Sequence, residues 1–214
     1  DERFPGTFNR GYSLIQTDDG GFLVGGEARD QQRRMNFCVL RVDAEGERLW
    51  WRTYGEARVS QCSAVIELKS GEFVAAGSAP YQEAYAVMLD GDGDVLWENN
   101  YPGSHFSGLR ETQGGLLFAG TRSDGGPGDR WLLKTNFEGE ILWSRTYGQG
   151  TLASLVSCQE GGFATAGGDY QGEGADWFLL KVTDEGDQLW TRLYDFGEDD
   201  RLACLTRMLD GGFA

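Results

Sequence analysis

The chain has 214 residues, 40% hydrophobic and 13% aromatic, enough for one domain with a substantial core and too apolar for a disordered segment. Thirty-four acidic against 19 basic residues give a formal charge of −15. Such a surface repels phosphate, which excludes nucleic acid and anionic membranes as partners, and no run of 18 apolar residues occurs, so no membrane insertion is expected.

The first segment, Asp1-Glu-Arg-Phe-Pro-Gly6, aligns with Glu98-Asn-Asn-Tyr-Pro-Gly103 further on, so Phe4 is expected in the place of Tyr101, at the end of a strand. Next comes a strand over Tyr12–Thr17, a Gly20-Gly21 turn and an apolar strand from Phe22. After a loop follow a strand over Phe37–Val42, the turn Asp43-Ala-Glu-Gly46 and a last strand with Trp50 and Tyr54. Asp-Gly and Gly-Gly pairs supply the positive φ that hairpin turns of matching twist require.

The same four-strand order then recurs. Its inner strands are Ser63–Leu68, Gly108–Glu111, Ala153–Cys158 and, for a fifth time, Ala203–Met208. Its second strands open at Phe73, Leu116, Phe163 and Phe213, and its third strands are Tyr85–Leu89, Trp131–Lys134 and Trp177–Val182. Each full copy closes on Gly-x-x-x-Trp-x-x-x-Tyr: Gly46/Trp50/Tyr54, Gly93/Trp97/Tyr101, Gly139/Trp143/Tyr147 and Gly186/Trp190/Tyr194. The tryptophans lie 47, 46 and 47 residues apart. A repeat of this length with four short strands is the signature of a propeller blade. The predicted fold is all-β: a β-propeller of four-stranded antiparallel blades, about 47 residues per repeat, with four full blades plus parts of a fifth. Residues 1–214 are expected to be a single β-propeller domain, incomplete at both ends. In a five-bladed ring both end fragments would belong to one blade.

The consensus Asp-Gly-Gly-Phe, Leu-x-Lys-x-Asp-x-x-Gly-x-x-x-Trp-x-x-x-Tyr-Gly resembles the β-propeller repeats of secreted bacterial and archaeal proteins, in the wider quinoprotein-dehydrogenase-like superfamily. The resemblance covers essentially the whole chain. It implies an extracellular or cell-surface location. The Gly-x-x-x-Trp element is similar to the tryptophan-docking motif, which implies that each indole packs on the next blade. In that motif an aspartate stands four residues before the glycine; here Asp43 and Asp90 stand three before, and the later repeats have Asn136 and Thr183.

The candidate sites each carry a plainer reading. Asn36, Glu83, Asp129 and Asp176 recur 14 residues before every tryptophan; a ligand site repeated per blade would look so, and so would a turn-capping group, which is the expectation. Asp90-Gly-Asp-Gly-Asp94 is similar to the start of a calcium loop, but loop position 12 is Tyr101 and a plain turn is expected; no metal site is assigned. His105 is the sole histidine, and no nucleophile motif occurs, so no catalytic residue and no cofactor are assigned. Cys38, Cys62, Cys158 and Cys204 read as mostly free, small hydrophobes. One inner-strand position is small throughout, Ser13, Ala64, Ser107, Ser154 and Cys204. Another is polar but different in each copy, Gln16, Glu67, Arg110, Ser157 and Arg207. This second set, at the inner mouth, is the candidate ligand-binding site, against the plainer reading of a wet channel. Trp50, Trp97, Trp143 and Trp190 are expected to be buried at blade interfaces, leaving Trp51, Trp131 and Trp177 for exposed contacts.

The sequence therefore points to a non-enzymatic extracellular binding or adhesion module for a carbohydrate or protein ligand. A structural subunit that self-assembles and a quinoprotein-like oxidoreductase are the alternatives.

Overall fold

A computed structural model describes residues 9–29, 32, 34–55, 60–79, 83–123, 128–169, 176–195, 197, 204–208 and 212–214. Phe4 and the Pro5-Gly6 step lie outside the described residues. The chain forms two compact units, residues 1–106 and 107–214.

In the first unit, β1 (Asn9–Gln16), β2 (Phe22–Arg29), β3 (Met35–Val42) and β4 (Arg48–Tyr54) make one antiparallel sheet in chain order. β5 (Gln61–Glu67), β6 (Phe73–Ala79), β7 (Glu83–Leu89) and β8 (Val95–Tyr101) make the next. β9 (His105–Thr112), β10 (Gly115–Arg122), β11 (Asp129–Thr135) and β12 (Ile141–Gln149) form a third such sheet. β13 (Thr151–Ser157), β14 (Phe163–Asp169), β15 (Asp176–Val182) and β16 (Gln188–Tyr194) form the fourth. Four four-stranded antiparallel meanders of this kind resemble propeller blades, as the 47-residue repeat requires. Among the described residues no sheet closes on itself as a barrel.

The inner strands start two or three residues earlier than the sequence pattern suggests, and β1, β5 and β13 each carry a bulge that breaks the apolar alternation. Register shifts occur between Gly11 and Ser13, Cys62 and Ala64, and Leu152 and Ser154. A second shift falls at the start of each outer strand, between Arg41 and Val42 in the first sheet and at the matching steps in the others.

Alternation along the strands gives each sheet two faces. Leu23, Phe37, Val39 and Tyr54 of the first sheet pack against Cys62, Val65, Ala75, Tyr85 and Val87 of the second. In the second unit, Leu117, Ala119 and Leu132 of the third sheet pack in the same way on Leu152, Leu155, Phe178 and Leu180 of the fourth. Residues 204–208 and 212–214 lay Leu205 and Phe213 against Ala164, Ala166 and Leu179 of the fourth sheet. An isolated antiparallel bridge joins Arg207 and Phe213.

Candidate functional site

The repeat's signature residues form a seam between consecutive sheets. The turn before each outer strand is shaped by its first residue: Asp43 Oδ1 accepts the amides of Glu45 and Glu47, Asp90 Oδ1 those of Asp92 and Asp94, and Thr183 Oγ1 those of Glu185 and Asp187. The carboxylate of Asp90 is thus spent on its own turn, the plain reading of that acidic segment. The turn's glycine takes positive φ, +79° at Gly93 and +81° at Gly186. It also leaves room for an indole. A methyl built on Gly93 would lie 3.0 Å from the Trp50 ring, and one on Gly186 would lie 2.7 Å from Trp143.

Around this stack the contacts repeat. Trp50 Nε1 donates to Gly91 O at 2.9 Å. Tyr54 donates its hydroxyl to Gly93 O at 2.8 Å, and Tyr147 donates to Gly186 O at 2.6 Å. Arg52 pairs with Asp94, and Arg145 with Asp187. Burial pushes the Tyr147 phenol up to about 12, so it remains a donor. The four tryptophans are half-buried rather than fully buried, and the Arg145 guanidinium lies 5.7 Å from the Trp143 ring centroid. The arginine two places after tryptophan is the part that sequence reasoning missed. Its signal was present as Trp-x-Arg-x-Tyr in three of four copies, opposite Gly-Asp in two.

The tryptophans outside that register do not make the expected exposed set. Trp131 is fully buried and donates to Ser144 Oγ at 2.8 Å, and Trp51 and Trp177 are half-buried. Trp131 stands on β11, a strand covered on both faces, so its place outside the repeat register reflects packing.

The polar inner-strand positions are placed as follows. Gln16 is exposed and turns back to Gly20 O at 3.3 Å. Glu67 is half-buried and accepts the Asp18 amide at 2.7 Å, clasping the turn of the preceding sheet. Arg110 is half-buried, bonded to its neighbour Leu109 O at 2.7 Å, and desolvation lowers its pKa. Ser157 and Arg207 are exposed. The small position does more than pack: Ser13 Oγ accepts Val65 N at 3.2 Å, Ser107 Oγ donates to Leu152 O, and Ser154 Oγ donates to Leu205 O at 3.3 Å. Each hydroxyl stitches one inner strand to the next.

Asn36 caps, but as a donor, giving its side-chain N–H to Ala28 O at 3.2 Å and Arg34 O at 3.1 Å. The cysteines are free; Cys62 is buried, Cys38 and Cys158 are half-buried and Cys204 is exposed. Burial pushes the Cys38 thiol up to about 12, far from a reactive thiolate.

The accessible feature of the first sheet is the face opposite the seam. A cleft of about 140 Å³ has Val24, Gly26, Cys38 and Leu40 as its floor and Arg10 and Glu27 among its lining. Leu14, the register partner of Val24, is 63% exposed, and Tyr12 beside it is exposed as well. The corresponding face of the second sheet carries Ala75, Tyr85 and Val87, and it is filled by Phe37 and Val39 of the first.

No family model matches the sequence, and no curated protein matches it. Among solved structures the chain is similar to the Dos1 propeller, with a TM-score of 0.63 and 13% identity over 95% of this chain and 51% of that one. It is also similar to the WD40 domain of Neurospora crassa Pan2, with a TM-score of 0.58 and 9% identity over 94% of this chain and 57% of that one. The chain therefore spans little more than half the length of either. The likeness is one of fold alone: the chain has a β-propeller-like fold, and membership of a quinoprotein-dehydrogenase family is not supported. A fold of this kind serves binding modules and enzymes alike.

Proposed function

We propose that the chain is a non-enzymatic binding or adhesion module of the cell surface or extracellular space, built as one β-propeller with four full blades and parts of a fifth. The observation that carries this reading is the open face of the first sheet. A cleft with a small apolar floor and a charged pair at its lining, beside exposed Tyr12 and Leu14, is the form of a recognition surface for a carbohydrate or protein ligand. The repeated polar and aromatic residues, by contrast, are consumed in holding sheets together.

The test is a ligand screen with glycans and extracellular proteins against the chain and its Leu14→Glu variant. A ligand whose binding falls at least about tenfold in the variant supports the reading. Ligands that bind both equally well would overturn it. A second reading, a subunit of a surface assembly, is favoured by the same open face, because an unpaired apolar sheet face invites another sheet. The quinoprotein-like alternative predicts quinone-dependent dye reduction by the purified chain, and such reduction above background would replace the binding reading.

A further inference from the structure

We propose that the rim of each sheet, where an acidic turn runs into the outer strand, docks a cationic amphipathic segment of a partner protein. An aliphatic side chain of that segment covers an exposed leucine, and its lysines or arginines meet the turn's carboxylates. This surface is separate from the open face of the first sheet and stands independently of the reading given for that face.

The residue before the repeat tryptophan is leucine in all four copies, Leu49, Leu96, Leu142 and Leu189. Each is the extra residue of the outer-strand bulge. Val42 pairs with Arg48 and Arg41 with Trp50, which leaves Leu49 outside the ladder, and the other three are skipped in the same way. All four are between 53% and 56% exposed. Leu49 and Leu142 stand on sheets with a following sheet packed against them, and they are as open as Leu189 on the last sheet, so a neighbouring sheet does not cover this position. Single exposed leucines are ordinary, but four at one repeat position on a sheet edge are a pattern.

Four residues before each leucine the turn carries a carboxylate, Glu45, Asp92, Glu138 or Glu185, exposed in every copy. The fold uses the turn's other repeated groups: the first residue caps amides, the glycine seats an indole, and Asp94 and Asp187 pair with arginine. The carboxylates of Glu45, Asp92, Glu138 and Glu185 make no hydrogen bond or ion pair among the described residues. Leucine and carboxylate therefore recur together without a task inside the sheet. Their chemistry selects the occupant. A second copy would bring its own turn acids against these, in a chain whose formal charge is −15. An added strand could not pair through the bulge, which interrupts the edge. A segment with both aliphatic and basic side chains buries the leucine and neutralises the carboxylate in one contact.

Fluorescence anisotropy of a labelled leucine-lysine peptide against the full chain tests this, with a serine-lysine peptide of the same length and charge as control. At physiological ionic strength the wild type is expected to bind the leucine-lysine peptide at least about tenfold more tightly than the control. A variant combining Leu49→Ser, Leu96→Ser, Leu142→Ser and Leu189→Ser keeps the charge and should lose that preference. A variant combining Glu45→Gln, Asp92→Asn, Glu138→Gln and Glu185→Gln should bind both peptides more weakly. Leu14→Glu, on the open face of the first sheet, should leave the preference unchanged, which separates this surface from that one. Equal binding of the two peptides by the wild type, or a preference kept by the serine variant, would overturn the proposal. So would a serine variant with a markedly lower melting temperature, because the leucines would then serve packing. A neutralised variant that self-associates, beside a wild type that takes up no peptide, would also overturn it, by making the carboxylates guards against aggregation.

Discussion

The two internal seams are built alike on the outside and differently on the inside. In the first unit, the seat 13 residues before the tryptophan is Phe37, whose ring meets Tyr85 edge-on at 5.1 Å, with Ala79 packed nearby. In the second unit the same seat is Arg130. Its guanidinium lies 3.6 Å from the Phe178 ring centroid, pairs with Asp169, which takes the Ala79 place, and donates to Tyr147 O at 3.1 Å. An apolar pair and a buried ion pair thus solve one packing problem, while tryptophan on glycine, tyrosine to carbonyl and arginine to aspartate recur unchanged. The outer contacts define the repeat; the inner seat only has to be filled and satisfied.

The largest expected effect comes from breaking the charged solution halfway. Arg130→Ala removes the buried guanidinium that pairs with half-buried Asp169 and stacks on Phe178, and should cost about 3–5 kcal/mol in urea unfolding. The double change Arg130→Phe with Asp169→Ala copies the first seam and should lie close to wild type. If the double variant is as unstable as the single one, the two seats are not interchangeable. Next, Tyr54→Phe should cost about 1 kcal/mol by removing the bond to Gly93 O, and Tyr147→Phe about the same, since the acceptor keeps its place in both. Unequal losses would show that the outer seams differ after all.

A smaller effect is pH-dependent. Burial holds the His105 imidazole below its ordinary value, so the folded chain binds its proton less readily than the unfolded one. That contribution is complete above about pH 6.5 and turns against the fold as pH falls through that value toward the lower folded pKa. His105→Gln should flatten the change in unfolding midpoint between pH 7.5 and 5.5, and an unchanged slope would assign the pH dependence to carboxylates. The smallest effect belongs to the exposed pairs Arg52–Asp94 and Arg145–Asp187. Neutralising Asp94 or Asp187 should move stability little and less still in high salt, because solvent screens both partners.

Much of this was legible in the sequence because a repeat shows its constraints several times. Gly-x-x-x-Trp-x-x-x-Tyr fixed the strand order and the indole seat, and Gly20-Gly21 and Gly161-Gly162 marked turns whose φ the structure bears out in part, at Gly20, Gly161 and Gly162. What occurs once or changes chemistry between copies was illegible. Arg130 looked like any strand residue because its partner Asp169 is 39 positions away. Trp131 looked exposed because only packing reveals that its strand is covered on both faces. The varied inner set, Gln16, Glu67, Arg110, Ser157 and Arg207, was read from its variety alone. Glu67 turns out to hold the turn at Asp18, a role that needs only an acceptor at that point.

The central claim is that the tryptophan on the next sheet's glycine holds consecutive sheets together, and a pair of alanine substitutions tests it most directly. Gly46 and Gly93 have nearly the same positive φ, but an added methyl meets nothing at Gly46 among the described residues and meets the Trp50 ring at Gly93. Both variants bear the backbone strain of about 1–2 kcal/mol. Only Gly93→Ala displaces the indole, so its unfolding free energy should fall further by at least about 1 kcal/mol. Equal losses in the two variants would contradict the account.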